Sequence, residues 1–231
     1  MPLSNKTIAI MQPTFLPWLG YFNMIKKSDV FVFLDDVQVS KRSWQTRNRL
    51  KSSNGEYFVS VPIKKGYSRS LIKDCELAID DQWKDKICKG LSFSYSKSKN
   101  YNENIGFVGD LIKKDFKTLS EYNSNIIKSM CERLNINTKF INSSQLQSTG
   151  KRDHYLASIC KELGADTYLS APGSKEYIEE GENVFTSKSL NIIYNDYKHP
   201  EYNQLYGDFI SHLSIVDAIL NVDLKHLREM I

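Results

Sequence analysis

A basic and aromatic segment stands early in the chain: Gln38, Lys41, Arg42, Trp44, Arg47, Asn48 and Arg49. Guanidinium groups present planar forks of donors, so Lys41, Arg42, Arg47 and Arg49 can clamp a diphosphate. Trp44 among them can stack on a base or a sugar. A solvated basic loop anchored by its tryptophan accounts for the same residues. Asp35-Asp36 stands just before the segment. Two carboxylates can coordinate a divalent ion, or one can cap the loop while the other is solvated. His199 lies between Lys198 and Pro200 in a turn, not on an apolar helix face. A loop histidine of ordinary pKa can move a proton near neutral pH, or it can be a plain surface residue. His154, His212 and His226 fall in predicted helices and read as non-catalytic. Pro172-Gly173-Ser174-Lys175 turns into a short helix, with Gly173 and the cationic Lys175 just past a predicted strand. The chain contains no G-x-S-x-G, P-loop or G-x-G-x-x-G fingerprint.

These side chains need elements to hold them. Thr7 to Met11 (TIAIM) and Val30 to Leu34 (VFVFL) are short apolar runs suited to buried strands. Two prolines, Pro13 and Pro17, break the chain after the first, and a helical pattern runs from Trp18 to about Ile25. Strand, turn, helix and strand in this length form a βαβ unit, with parallel strands. Val37 to Leu50 has no clean apolar period and reads as a functional loop or a short irregular helix. Tyr57 to Ile63 and Ile72 to Ile79 read as strands, pairing as an antiparallel edge. Residues 81–135 read as a helical lobe, its first helix capped by Asp80. Alternation returns with strands at Thr138–Asn142, Thr167–Ser170 and Asn191–Tyr194. The helix between the first two stops at Gly164. A short helix is expected at Tyr177-Ile178, and the tail from Tyr206 to Leu220 reads as one helix. The whole predicts one α/β domain over 1–231, with a Rossmann-like, mostly parallel sheet and helices on both faces.

Composition narrows the partners. The chain has 231 residues and a net charge of +4, with lysines scattered rather than run together. A phosphate-bearing small molecule fits this better than nucleic acid. Four cysteines, Cys75, Cys88, Cys131 and Cys160, lack metal-ligand spacing, and no metal ligand set is assigned. No apolar leader opens the chain, and no stretch approaches the roughly 20 apolar residues of a membrane span. A cytoplasmic protein with reduced thiols is expected.

Ligands of open parallel sheets bind outside the carboxyl ends of the strands. Gln12 and Pro13 follow the first strand. Asp35, Asp36 and Gln38 follow the second. Ser170, Gly173 and Lys175 follow the Thr167 strand, and His199, Tyr202 and Gln204 follow the last. Gln12, Asp35, Ser170 and His199 are therefore expected on one rim.

The segment IAIMQPTFLPWLGYFNMIKKSDVFVFLDDVQVSKRSWQTRNRLK resembles the N-terminal signature of the WbqC-like protein family. Three further pieces agree in order and spacing: VPI, GKRDHYLASICKELGADTYLSAPGSKEYI and KHPEYNQLYGDFISHLSIVDAILN. The resemblance spans nearly the whole chain. It implies a role with O-antigen and other surface-glycan gene sets, modifying a nucleotide-linked 4-amino sugar, with glycine or another acyl group attached. The family pattern carries onto Gln12, Pro13, Asp35, Asp36, Gln38, Lys41, Trp44, Arg47, Asn48, Arg49, Ser170, His199, Pro200, Tyr202 and Gln204. A looser similarity links the opening strand, proline loop and helix to HIGH-type nucleotidyltransferases. Leu19-Gly20-Tyr21-Phe22 lacks their histidines and keeps only Gly20, which there lets a nucleotide approach the backbone.

The combined expectation is an acyl or aminoacyl transferase, or an ATP-dependent ligase. Its partners are a dTDP-type amino sugar and an acyl or amino-acid donor, with ATP and magnesium as the possible cofactors and a homo-oligomer as the possible assembly. The alternative is a sugar-nucleotide-binding or scaffold protein without chemistry. His199, Gln12, Asp36 and Lys175 are the candidates for chemistry. Asp35, Gln38, Lys41, Arg42, Trp44, Arg47, Asn48, Arg49, Ser170, Gly173, Tyr202 and Gln204 are the candidates for substrate binding.

Overall fold

The computed structural model describes residues 5–40, 42–175 and 184–231. Lys41 and the short helix expected at Tyr177-Ile178 lie outside the described residues. In chain order the elements begin with β1 (Thr7–Met11), α1 (Leu19–Lys26) and β2 (Val30–Phe33), then β3 (Arg47–Ser52) and β4 (Gly55–Ser60). Three longer helices follow: α2 (Asp81–Tyr95), α3 (Tyr101–Lys113) and α4 (Leu119–Arg133). Then come β5 (Lys139–Asn142), α5 (Asp153–Glu162), β6 (Thr167–Ser170), α6 (Val184–Ser187) and β7 (Asn191–Tyr194). The chain closes with α7 (Ile215–Asn221) and α8 (Leu224–Met230).

The chain divides into two compact units. The first comprises Met1–Gln12, Asn23–Asp36 and Asn137–Lys198, and the second the remaining segments, so the boundary falls inside α1.

The first unit carries a five-stranded sheet in the order β5-β2-β1-β6-β7, every neighbouring pair parallel. With helices on both sides it is α/β and Rossmann-like. The order runs outward from β1 to β2 and β5, then back to β6 and β7. The topological switch point therefore lies between β1 and β6, where such sheets open a crevice at their carboxyl ends. Val30–Phe33 is buried along its whole length, as parallel strands covered on both faces require. Ile8, Ile10, Val30, Val32, Tyr168 and Phe185 form the core with Ala157, Ile159 and Cys160 of α5. Fully burying such aliphatic side chains contributes about 1.5–3 kcal/mol each. Gly164 takes φ +65° just past α5, the left-handed stop expected there.

The second unit holds α2, α3 and α4, the β3–β4 hairpin and the two C-terminal helices. Asp80 caps α2 through Trp83 N–H, at 2.7 Å. Thr118 and Glu121 close a reciprocal capping box at the start of α4. Thr118→Ala removes the hydroxyl that accepts from Glu121 N–H, and is expected to cost about 1 kcal/mol in urea unfolding.

Three expectations are corrected here. Arg47–Ser52 is a strand, not a loop or helix, and β4 pairs with it rather than with residues 72–79. The hairpin turns at Ser53-Asn54, and Gly55, the first residue of β4, takes φ +94°. Residues 72–79 form a short 3-10 turn at Ile72–Asp74 followed by isolated bridges, Ile63 to Leu77 and Glu76 to Thr118. Apolar alternation arises there without a ladder partner. The tail helix begins at Ile215, not Tyr206, because Tyr206, Gly207 and His212 hold positive φ and Ser214 is the N-cap. Among the described residues no helix is long and apolar enough to cross a membrane.

Candidate functional site

The sequence-predicted residues separate into two groups, one in each unit. The parallel-sheet unit holds Gln12, Asp35, Asp36, Ser170, Gly173 and Lys175. Gln12, Asp35 and Ser170 stand at or just past the carboxyl ends of β1, β2 and β6, and Gln12 and Ser170 flank the switch point. Lys175 and Gly173 are exposed beyond β6. The Lys175 ammonium lies 5.8 Å from the centre of the Tyr194 ring. Ser170 is fully buried and its hydroxyl meets that of Ser174 at 2.5 Å.

Asp35 is only 1% exposed. Its Oδ2 accepts from Asn142 Nδ2 at 2.7 Å and from Ser144 Oγ at 3.1 Å. Its Oδ1 accepts from Ser144 N–H at 3.1 Å and lies 3.3 Å from Ser143 Oγ. Three protein donors engage the Asp35 carboxylate, with the Ser143 hydroxyl beside it. The residue braces the turn after β2 against the segment after β5 and does not suit magnesium. Asp36 takes the Ser143 hydroxyl at 2.5 Å and the Tyr155 hydroxyl. Burial and the Asp36 charge push the Tyr155 phenol well above its ordinary range, so Tyr155 stays a donor. Sequence reasoning missed Ser143 and Tyr155, since nothing marks them apart from other hydroxyls. Among the described residues no cluster of three His, Cys, Asp or Glu side chains could hold a metal ion.

The second unit holds Gln38, Arg42, Trp44, Arg47, Asn48, Arg49, His199, Tyr202 and Gln204. Trp44, just before β3, and Phe58 of β4 are exposed side by side, ring centres 6.3 Å apart. The Arg47 guanidinium lies 4.3 Å over Phe58, and Arg49 pairs with Glu56 at 2.7 Å. Gln38 donates to Arg69 O at 2.9 Å, and Arg42 is exposed. Asn48 is buried and gives its amide to Phe15 O and Leu16 O, at 3.0 and 2.8 Å. It fastens the proline loop, where Leu16 holds φ +46°, and so acts as a brace.

His199 sits half-buried in an aromatic box. Its ring stacks on Trp18 at 5.9 Å and 11°, with His212 at 5.0 Å, Phe209 at 5.7 Å and Tyr202 at 6.1 Å. Nδ1 lies 2.9 Å from Pro200 O. A carbonyl only accepts, so Nδ1 carries the proton and the basic lone pair falls on Nε2. Burial holds the imidazole below its ordinary pKa; the Pro200 contact works the other way and His212 adds to the lowering. Gly20 makes the box possible. A Cβ built there would lie 2.1 Å from Trp18 Cη2, so the indole occupies the space above the helix backbone. Gly20→Ala should displace the indole at a cost of about 1–3 kcal/mol. Tryptophan fluorescence should change, and an NMR titration should find the His199 pKa moved back up as its cover loosens.

Beneath this box lies a polar network that sequence reasoning missed. Asp217, at 0% exposure, accepts from Tyr95 Oη at 2.9 Å, Tyr202 Oη at 2.7 Å and Gln204 Nε2 at 3.0 Å. Lys51, at 2% exposure, donates from Nζ to Gln204 Oε1 at 3.2 Å and Asp208 O at 2.5 Å. Burial pushes the Asp217 carboxyl above its ordinary pKa, against its hydrogen bonds and the Lys51 charge. The lone acid inside the apolar run Ile215-Val216-Asp217-Ala218-Ile219 was the signal available.

The WbqC-like protein family model matches residues 12–229, spanning both units. The chain belongs to that family. It is also similar to the uncharacterised protein Rv1507c of Mycobacterium tuberculosis, 31% identical over 220 residues and covering 94% of each chain. No solved structure matches. In WbqC-like terms the match takes in β2, the hairpin, the helices and the His199 box. It begins at Gln12, the first residue past β1.

Proposed function

We propose that this WbqC-like protein is an amide-forming acyl or aminoacyl transferase acting on a nucleotide-linked amino sugar of surface-polysaccharide synthesis. The observation that carries it is His199. Its tautomer is set by Pro200, and its lowered pKa keeps it neutral near pH 7, the state in which it can take a proton from an attacking amine. Nε2 is closed off from solvent in this conformation. A substrate amine reaches it only after neighbouring side chains shift, and His212 is the exposed one. Arg47 on the hairpin and Trp44 just before it offer charge and a stacking face to a nucleotide diphosphate. Gln12, Asp36, Gly173 and Lys175 follow strands of the parallel-sheet unit, and sheets of this kind bind ligands past their carboxyl ends.

The test is direct. The purified protein is incubated with a dTDP-4-amino sugar and, in turn, glycine with ATP or an acyl-CoA. A mass gain on the sugar is expected with one donor. No product with any donor sinks the transferase reading. One observation favours a second reading, a sugar-nucleotide-binding or scaffold protein: Asp35 is engaged by protein donors and braces a turn instead of facing a ligand. Under that reading a dTDP-sugar binds and is recovered unchanged.

A further inference from the structure

A cleft of about 560 Å³ opens in the second unit beside the buried Asp217 network. Its volume suits a small-molecule ligand, but its lining differs from the apolar norm. Leu205 and Val222 are its only aliphatic members. The rest is polar: Asn203, Gln204 and Asn221 bring amides, Tyr202 an aromatic ring, and Lys97, Lys99, Glu201, Asp223 and His226 titratable groups.

The charges decide the ligand class. Lys97 and Lys99 are equalled in number by Glu201 and Asp223, and the His226 backbone N–H, with smaller help from the His226 and Lys99 charges, holds the Asp223 carboxyl below its ordinary pKa. A site for a diphosphate keeps cations uncompensated. This one does not. Amides, carboxylates and ammonium groups together donate to and accept from hydroxyls, and a tyrosine ring offers a flat face. The wall is also held rigid. Tyr202 Oη and Gln204 Nε2 are fastened to Asp217, and Asn221 Nδ2 donates to Asp217 O at 2.8 Å. Pre-set polar walls lose less entropy when a ligand binds. Asn203 stands exposed between the two fastened residues.

We infer that this cleft is a carbohydrate site that takes a neutral, hydroxyl-rich sugar ring and excludes the phosphates. It deepens the transferase reading, for it assigns the sugar portion of the proposed substrate to the wall Glu201–Gln204. Binding here can nevertheless be measured without turnover.

The experiment follows amide resonances of the ¹⁵N-labelled protein during titration with N-acetylglucosamine, with methyl glucoside, and separately with dTDP and inorganic pyrophosphate. The two neutral sugars, at millimolar concentration, are expected to shift Tyr202, Asn203, Asn221 and Val222. Asn203→Trp, which fills the cleft from an exposed position, should weaken that response on the order of tenfold without changing thermal unfolding. Shifts of these residues by dTDP or pyrophosphate alone overturn the inference in favour of an anion site. No shift by either sugar overturns it as well. A failed mass-gain assay beside intact sugar shifts removes the transferase and keeps the cleft. Product formation without cleft shifts does the reverse.

Discussion

Asp217→Ala is expected to lose about 3–5 kcal/mol of unfolding free energy, a large share of the roughly 5–15 kcal/mol that holds an ordinary domain together. The carboxylate sits at 0% exposure and satisfies two tyrosine hydroxyls and one amide. Alanine leaves those donors buried with no acceptor at that position, at about 1–3 kcal/mol for each one stranded. It also removes the negative charge that faces buried Lys51. Asp217→Asn keeps one acceptor oxygen and the shape of the side chain, so it should cost clearly less than alanine. Urea unfolding of both variants measures this, and equal losses would show that shape, not acceptor capacity, matters here.

The pH dependence supplies an independent check. Burial raises the folded pKa of Asp217 above its ordinary value of 3.8. The folded state therefore holds this proton where the unfolded state has released it. The resulting contribution to stability is complete below pH 3.8 and is lost as pH rises through the folded value. Asp217→Asn removes that term. The gap in stability between wild type and variant should thus change with pH in this window, with wild type relatively favoured on the acid side.

The parallel sheet was legible because its strands are short apolar runs between turn signals, and TIAIM and VFVF have no other good use. The hairpin was not. Arg47 and Arg49 alternate with buried Asn48 and Leu50, but two arginines and an asparagine conceal a period of two. Asn54-Gly55 was the readable clue, since Gly55 takes φ +94° directly after the Ser53-Asn54 turn. The tail misled for the opposite reason. Phe209 and Leu213 fall at helix spacing, yet Gln204 Oε1 accepts from Ile210 N–H at 2.9 Å and holds that stretch in a loop. A side-chain to backbone bond across six residues leaves no mark in the apolar spacing. The candidate site was half legible. Residues after parallel strands could be listed from topology alone, whereas the enclosure of His199 depends on Trp18, some 180 residues away in the chain, and on a missing Cβ at Gly20. Asn48 and Asp35 looked like ligand groups because polar residues at strand ends do two jobs, and only their partners separate a brace from a contact.

His199→Ala should lower turnover by about a hundredfold to ten-thousandfold while a dTDP-sugar still binds. The range is that of one positioned general base. In the box the imidazole is neutral because burial disfavours its charged form, and the Pro200 carbonyl directs the lone pair to Nε2. The rate should fall on the acid side, as pH drops through the lowered folded pKa, and this limb should vanish from any residual rate of the variant. Stability carries the same sign. The unfolded histidine takes its proton at the ordinary value of 6.5, whereas the folded one resists it. Its contribution is complete above pH 6.5 and is lost as pH falls through the folded value, so His199→Ala should flatten the acid loss of stability there. His212, also lowered by burial, keeps its own part of that slope. Steady-state assays against pH, run beside urea unfolding of the same two proteins, separate the roles. A structural histidine changes only the unfolding curves, because packing alone has no reason to put a protonation limb on turnover; a catalytic one changes both.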